Sequence, residues 1–200
     1  SALIVSSCSD DDDYAPITLF YVDGSYTYTF DNERHDLYLT PYSDEKSLFI
    51  HGGDGIYAIE VRNKDIIKAN YDGKVLTIEP VATGFAEIFV RDNSKNTYPL
   101  YISVQYPTSS YRGIENNVVI KGDGITLKEK EELEAEIRKE FLIEAGGQCM
   151  FVFKTPNRTQ GEIQVNQSAT SKTKKGTFKV EKMQNEDISY YQIVINISEK

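Results

Sequence analysis

The sequence predicts a mainly β protein with two domains, an antiparallel β-sandwich over residues 17–106 and a small α+β domain over residues 116–200. The first observation is a series of short runs rich in β-branched and aromatic residues, separated by Gly, Asn and Asp turn signals. The second is a helical periodicity that begins only after residue 126. The third is the composition, 40% hydrophobic and 26% charged, which is ordinary for globular domains.

The predicted strands of the first domain are short and regularly spaced. Residues 26–30 alternate Tyr or Phe with Thr, so the aromatic rings share one face of a strand. Glycines at residues 52–55 mark a turn, because glycine adopts a positive φ without steric cost. The predicted strands are residues 17–22, 26–30, 37–40, 47–50, 56–61, 74–79, 85–90 and 98–105. Short strands without helical periodicity predict a β-sandwich.

The second part of this domain carries a family resemblance. An Asp-Gly turn at residues 72–73 precedes a strand, and residues 84–92 read Gly-Phe-Ala-Glu-Ile-Phe-Val-Arg-Asp. Over residues 47–104 this pattern resembles the bacterial immunoglobulin-like domain, group 2. The resemblance implies an Ig-like antiparallel β-sandwich and carries over no catalytic residue. The chain differs from the family pattern at Phe85 and Glu87, where small residues or threonine are commoner.

The second domain is predicted to follow a polar linker at residues 107–115, which contains a proline and consecutive serines. A short strand at residues 118–120 comes next. Thr126 and Glu129 are spaced as a capping box, which predicts that a helix starts at residue 127. The helix is expected to end at residue 145, because the two glycines that follow tolerate a left-handed cap.

One face of this helix is predicted to pack on a sheet. Leu133, Ile137 and Phe141 recur every four residues and form one apolar stripe. The strands of the sheet are predicted at residues 149–154, 161–166, 176–182 and 190–198. One helix on an antiparallel sheet makes this a small α+β domain.

The N-terminal residues predict where the protein is located. A short apolar run leads through two serines to Cys8, and Ser9 and an aspartate run follow at once. The aspartates are Asp10, Asp11, Asp12 and Asp13. This order resembles a bacterial lipobox followed by the export signal of Bacteroidetes-type surface lipoproteins. The resemblance implies that residues 1–7 are a signal-peptide remnant, that Cys8 carries lipid, and that residues 8–16 are a tether on the outer face of the outer membrane. The alternative is a disordered terminus with an incidental cysteine.

Charge and motif content exclude several classes of function. The net charge of −9 disfavours nucleic acid as a partner, because phosphates attract basic surfaces. The residues after Cys8 contain no apolar stretch near the ~20 residues that span a bilayer. Cys149 cannot pair with an acylated Cys8, and we expect it to be a small buried apolar residue. No cofactor is predicted, because the sequence lacks a phosphate loop, a paired-histidine zinc motif and a serine elbow.

Two features are candidate binding sites. Residues 92–96 place oxygen ligands at alternate positions, as calcium loops do, but the glycine and closing glutamate of such loops are missing. A hairpin turn is therefore favoured there, and no metal is predicted. Tyr26, Tyr28 and Tyr38 would contact a ligand if they line an exposed sheet face, since tyrosine offers an apolar ring with a polar tip. Cross-strand packing inside the sandwich is the simpler interpretation of these rings.

The sequence thus predicts a cell-surface lipoprotein with a non-enzymatic binding, adhesion or spacer role. The alternative is a glycan-binding accessory lipoprotein of a polysaccharide-uptake system. Its expected partners are the outer membrane, through the lipid anchor, and a surface protein or glycan. A hydrolase is disfavoured, because no motif places two carboxylates on either side of a scissile bond.

Overall fold

The structure is a computed structural model that describes residues 14–22, 30–120, 122, 124–185 and 188–198. Within these residues it contains thirteen strands and one α-helix, so the predicted mainly β class is confirmed. The chain divides into two compact units between Gln105 and Tyr106. In the described part of the chain, no helix has the length and apolar character needed to cross a membrane.

The first unit is a sandwich of two four-stranded sheets. Its strands are β1 (Thr18–Tyr21), β2 (Asp36–Leu39), β3 (Lys46–His51), β4 (Tyr57–Arg62), β5 (Ile67–Tyr71), β6 (Val75–Pro80), β7 (Gly84–Asp92) and β8 (Thr97–Val104). The sheet orders are β1-β3-β6-β5 and β2-β8-β7-β4. This order matches the two sheets of an immunoglobulin-like sandwich. Strands A, B, E and D correspond to β1, β3, β6 and β5, and strands C, F and G correspond to β4, β7 and β8.

β2 departs from the wholly antiparallel sandwich that the sequence predicts. It pairs with β8 in parallel, with Leu37 opposite Ile102, because the chain crosses to the other sheet between β1 and β2. Asn32 lies in this crossing. Its Oδ1 accepts hydrogen bonds from the backbone N–H of Leu19 at 2.8 Å and from the hydroxyl of Tyr98 at 2.9 Å. Its amide thus provides β1 with the hydrogen bonds that a neighbouring strand would supply.

Alternate residues of these strands fill the space between the sheets. On β7, Ala86, Ile88 and Val90 are buried, while the residues between them face outward. Full burial of a side chain as large as that of Ile88 or Val90 stabilises the folded state by about 1.5–3 kcal/mol. β5 is not predicted from the sequence. Its exposed positions are occupied by Lys68 and Asn70, which are residue types depleted in strands. Residues 26–29 of a predicted strand lie outside the described residues.

The second unit contains one five-stranded antiparallel sheet and the helix. Its elements are β9 (Thr108–Arg112), α1 (Leu127–Lys139), β10 (Gln148–Phe153), β11 (Gln160–Asn166), β12 (Lys174–Asn185) and β13 (Ile188–Ile197). The sheet order is β13-β12-β11-β10-β9. Its buried core is small and consists of Cys149, Phe151, Ile163, Val165 and Phe178.

Two predictions for the start of this unit are wrong. The predicted linker at residues 107–115 contains β9, which pairs with β10 along its whole length. β9 is an exposed edge strand, so main-chain hydrogen bonds hold it and its Ser and Thr side chains give no apolar signal. The strand predicted at residues 118–120 is absent, since residues 113–120 have no regular structure.

The predicted capping box is present at the start of α1, with Thr126 and Glu129 bonded reciprocally. The helix nevertheless ends at Lys139 rather than at residue 145. Its end is closed by backbone hydrogen bonds from the N–H of Glu140 to the carbonyl of Ile137 at 3.1 Å and from the N–H of Phe141 to the carbonyl of Arg138 at 3.3 Å. After the helix, the side-chain amide of Gln167 donates to the carbonyl oxygen of Phe141 at 2.9 Å.

The prediction that the helix stripe packs on the sheet is wrong for Leu133 and Ile137, which are 41% and 42% exposed. No residue of α1 is buried. The residues that pack against the core are Leu142 and Ile143, which follow the helix. The four-residue spacing therefore identifies an amphipathic helix correctly but does not identify the segment that covers the sheet.

Candidate functional site

The outward face of the β2-β8-β7-β4 sheet carries exposed aromatic side chains on three adjacent strands. Tyr38, Ser103 and Phe85 are aligned across β2, β8 and β7 by the strand register. The adjacent row is formed by Asp36, Tyr101 and Glu87. The exposed fractions are 74% for Tyr38, 67% for Phe85 and 45% for Tyr101. Much of the apolar surface of these rings remains in water, so it is available for contact with a ligand or a partner.

These two rows line a shallow groove of about 310 Å³, which we call the aromatic groove. Its side chains are those of Asp36, Tyr38, Phe85, Glu87, Tyr101 and Ser103. The hydroxyl of Tyr38 donates to Oδ2 of Asp36 at 3.4 Å. This bond is long, so the carboxylate keeps most of its capacity to accept hydrogen bonds from a ligand.

Ser103 lies in the middle of the groove. The residue is 8% exposed, and its Oγ has no hydrogen-bond partner among the described residues. Ser103 is aligned with Tyr38 and Phe85, whereas the residues on either side of it, Ile102 and Val104, face the core. A buried polar group without a partner costs about 1–3 kcal/mol. The Oγ of Ser103 has almost no accessible surface, so a ligand that shifts the neighbouring side chains and hydrogen-bonds this hydroxyl would recover part of that free energy.

The neighbouring half of the same face is closed by ion pairs. Arg62 lies 3.2 Å from Glu60 and 3.5 Å from Glu87, measured from guanidinium nitrogen to carboxylate oxygen. Arg91 lies 3.0 Å from Glu60. The guanidinium of Arg62 also covers the ring of Phe89, 4.5 Å from its centroid. Of the described cations, none covers the rings of the aromatic groove, so that half of the face is open.

The structure tests one of the three tyrosines proposed from the sequence. Tyr38 is exposed on the sheet face, so its interpretation as a ring packed inside the sandwich is wrong. Leu37 and Leu39 face the core, and strand alternation places Tyr38 between them on the opposite side. The predicted residues that lie outside the described part of the chain are Tyr26, Tyr28, Cys8, Ser9, Asp10, Asp11, Asp12 and Asp13.

Sequence reasoning missed most of the groove. It does not identify Tyr101, Ser103 or Asp36 as site residues. Phe85 and Glu87, however, are the positions at which the chain departs from the pattern of the immunoglobulin-like family. Both departures lie on the outward side of β7 and line the groove. An aromatic or charged residue at a position that is usually small is therefore the signal that could have found the site.

Residues 92–96 form the predicted hairpin turn between β7 and β8. The carboxylate of Asp92 accepts hydrogen bonds from the backbone N–H of Asn96 at 2.8 Å, from the side-chain amide of Asn96 at 2.7 Å and from the backbone N–H of Asp54 at 3.2 Å. Burial acts to raise the pKa of Asp92, but these hydrogen bonds outweigh it and lower the pKa. The carboxylate oxygens are thus engaged in holding the turn.

Cys149 is buried at 5% exposure, as the sequence predicts for a small apolar residue of the core. Burial raises the pKa of its thiol, although a hydrogen bond from the backbone of Tyr111 acts in the opposite direction. A raised pKa keeps the sulfur protonated at neutral pH, which is unfavourable for a nucleophile.

No protein-family model matches the chain, and no curated protein is significantly similar to it. Among solved structures, it is similar to domains 5–6 of the S-layer protein SbsC. The two share 9% sequence identity with a TM-score of 0.27, over 81% of this chain and 80% of that chain. A likeness of this size does not identify a family.

Proposed function

We propose that this protein is a non-enzymatic, surface-displayed lipoprotein whose first unit binds a saccharide in the aromatic groove. The observation that carries the proposal is the arrangement of Tyr38, Phe85 and Tyr101 around the buried, unpartnered hydroxyl of Ser103. The ring faces offer apolar surface to the C–H groups of a sugar ring. The hydroxyl and two carboxylates offer hydrogen bonds to its hydroxyl groups.

The size of the groove supports a small polar ligand. A volume of about 310 Å³ lies at the lower end of the range for small-molecule sites. The carboxylate of Asp36 lies beside the rings and would accept hydrogen bonds from sugar hydroxyls, as would the oxygen of Glu87 that does not face Arg62. Both carboxylates would have to be desolvated beneath an apolar partner. A neutral or basic saccharide therefore fits better than an acidic one.

A protein partner is the second candidate. Tyrosine and phenylalanine are enriched in the cores of protein interfaces, and the ion-paired half of the same sheet face would extend the contact. A stable interface buries about 800 Å² on each partner, so it would need residues well beyond the aromatic groove. The two candidate functions make different predictions. Only substitutions in the groove should weaken saccharide binding, whereas substitutions well outside it should also weaken binding of a protein partner.

A glycan array followed by calorimetry tests the proposal. We expect a saccharide to bind the intact chain, Tyr38→Ala to weaken binding, and Phe20→Ala, an exposed ring on β1 of the other sheet, to leave it unchanged. Ser103→Ala is the sharper variant. It removes a hydroxyl with no partner in the fold, so we expect unchanged or higher stability together with lower affinity, by about 0.5–1.5 kcal/mol.

The result that contradicts the proposal is equal saccharide binding by the intact chain and Tyr38→Ala, or no saccharide binding at all. A captured protein whose binding is reduced by Tyr38→Ala and also by Arg91→Ala would support the second candidate instead. A strongly destabilised Ser103→Ala variant would show that the hydroxyl has a structural partner, and it would remove the main argument for the groove.

Anchoring through Cys8 is part of the proposal and is supported by the order of residues in the N-terminal segment. Two or more acyl chains give stable anchoring, at about 0.8 kcal/mol for each buried CH₂. Intact-mass analysis of protein from its native membrane should show lipid on Cys8, and Cys8→Ala should release the protein. Replacing the four aspartates by asparagine should keep the protein in the membrane but lower its accessibility to protease on whole cells. An unmodified Cys8 would contradict this assignment.

A further inference from the structure

We propose that β13 is a pairing edge through which two copies of this chain form an antiparallel dimer with two-fold symmetry. β13 is the last strand of its sheet, and no described strand pairs with its outer side. Ten residues, Ile188–Ile197, thus present one row of main-chain donors and acceptors to the exterior. A further β-strand can pair with such a row through regular main-chain hydrogen bonds, as in β-strand addition.

The hydrogen bonds around β12 show which groups of β13 face outward. Ser198 donates its backbone N–H to the carbonyl of Lys175 at 3.0 Å, so this pair is hydrogen-bonded across the ladder. Val180, opposite Ile193, donates its N–H away from β13 to the carbonyl of Thr159 at 2.6 Å. Because pairs alternate along an antiparallel ladder, the outward groups follow from these two bonds. They belong to Ser189, Tyr191, Ile193, Ile195 and Ile197.

This edge lacks the features that protect other sheet edges. β13 contains no Asp, Glu, Lys, Arg or Pro, residues that block pairing at an exposed edge. The other edge strands, β1, β2, β4, β5 and β9, have four to six residues, and all except β1 carry a charged side chain. A long, uncharged edge is an aggregation hazard unless another strand covers it.

The sequence of β13 suits a second copy of itself. With the two-fold axis at Ile193, this residue lies opposite its own copy, Tyr191 lies opposite Ile195, and no charges meet. Tyr191 and Ile193 are 73% and 53% exposed, and they continue the row of Ile195, which packs against the core. Antiparallel pairing would therefore cover these side chains while it satisfies the main chain. A two-fold contact closes on itself, as most homodimers do.

Charge substitution at the axis tests the dimer in the full chain by sedimentation velocity and light scattering. Ile193→Lys and Ile193→Glu each place like charges opposite one another, so each alone should weaken dimerisation at least about tenfold, which is about 1.4 kcal/mol. An equimolar mixture of the two variants pairs opposite charges and should restore the dimer. Ile137→Lys, at a similarly exposed position on α1, is the control and should leave the dimer intact.

Restoration by mixing separates edge pairing from misfolding, because two misfolded variants would not rescue each other. An intact chain that stays monomeric, or a dimer that Ile193→Lys leaves unchanged, would overturn the proposal. Failure of the mixture to restore the dimer would overturn the placement of the axis at Ile193. Growth into larger assemblies would show pairing of β13 with the other sheet edge, β9, which does not close, and would also overturn it.

Discussion

Replacing Asn32 by alanine is predicted to destabilise the sandwich strongly, although Asn32 is a polar residue outside the strands. Its side chain makes four hydrogen bonds to residues that the structure describes. Two involve the backbone of Leu19, its N–H at 2.8 Å and its carbonyl at 3.0 Å. The others reach the carbonyl of Phe30 at 3.2 Å and the hydroxyl of Tyr98 at 2.9 Å. The amide therefore connects β1 with β8, two strands of different sheets.

The expected magnitude follows from the groups that alanine leaves without partners. Leu19 is 0% and Tyr98 is 4% exposed, so the Leu19 N–H and the Tyr98 hydroxyl lose their acceptor at sites with little access to water. Each such group costs about 1–3 kcal/mol, which gives about 2–6 kcal/mol for Asn32→Ala. Water that enters the space left by the amide would hydrogen-bond these groups and bring the cost to the lower end of this range. Domains of this size are stable by only about 5–15 kcal/mol, so the unit should become marginal.

Urea unfolding followed by hydrogen-exchange mass spectrometry measures the effect, because peptides from β1 and β8 report on the first unit separately. Asn70→Ala is the matched control, since Asn70 is exposed on β5 of the same sandwich, and it should change stability by less than ~0.5 kcal/mol. Asn32→Asp should be worse at neutral pH, because a carboxylate oxygen would face the carbonyls of Leu19 and Phe30. Its cost should fall in acid, where the carboxyl is protonated and donates. Equal stabilities of Asn32→Ala and Asn70→Ala would refute the reasoning.

Three further predictions concern the cap, the helix face and the turn. Thr126→Ala should cost about 0.5–2 kcal/mol of helix stability, seen as lost helical circular dichroism, but should not lower the unfolding midpoint of the sheet, because α1 buries no residue. Ile137→Ala should cost less than ~0.5 kcal/mol in urea melts, whereas Phe178→Ala in the core should cost about 3–5 kcal/mol. The pKa of Asp92 is lower in the folded than in the unfolded protein, so its ionised carboxylate stabilises the fold above the unfolded pKa, and this stabilisation is lost as pH falls through the folded pKa. Asp92→Asn should therefore make the free energy of unfolding less dependent on pH in the acid range, as measured by urea melts at several pH values.

The sequence predicts an element well where its determinants are local. β6 follows an Asp-Gly turn, and α1 starts at a capping box, so both are identified by residues within one turn of their start. The segment directly after α1 is bonded instead to a residue distant in the sequence, because the side-chain amide of Gln167 donates to the carbonyl of Phe141. β9 is likewise held by pairing with β10 and has little apolar signal of its own. Such elements are specified by contacts that periodicity does not reveal.

Helical periodicity has a related limit. The stripe of Leu133 and Ile137 correctly indicates a helix with one apolar face, because residues four apart share a side. It does not indicate what lies against that face. In the structure the sheet is covered by Leu142 and Ile143, which belong to the irregular segment after the helix and show no periodicity at all. The amphipathic pattern is thus evidence for local structure rather than for packing.

The aromatic groove is difficult to predict because large aromatic residues lie among the outward positions of its strands as well as apolar residues among the inward ones. On β7, Phe85 faces outward and Ala86 inward, so a ranking by hydrophobic size assigns the wrong residue to the core. Strand alternation decides instead, since Ala86 shares the inward face with Ile88 and Val90 and lies opposite the buried Ile102 of β8. An outward ring that stays largely exposed contributes less burial energy to the isolated unit than a core residue does. The exposed part of such a ring becomes stabilising only when something covers it, which is the physical reason for proposing Tyr38, Phe85 and Tyr101 as a binding surface.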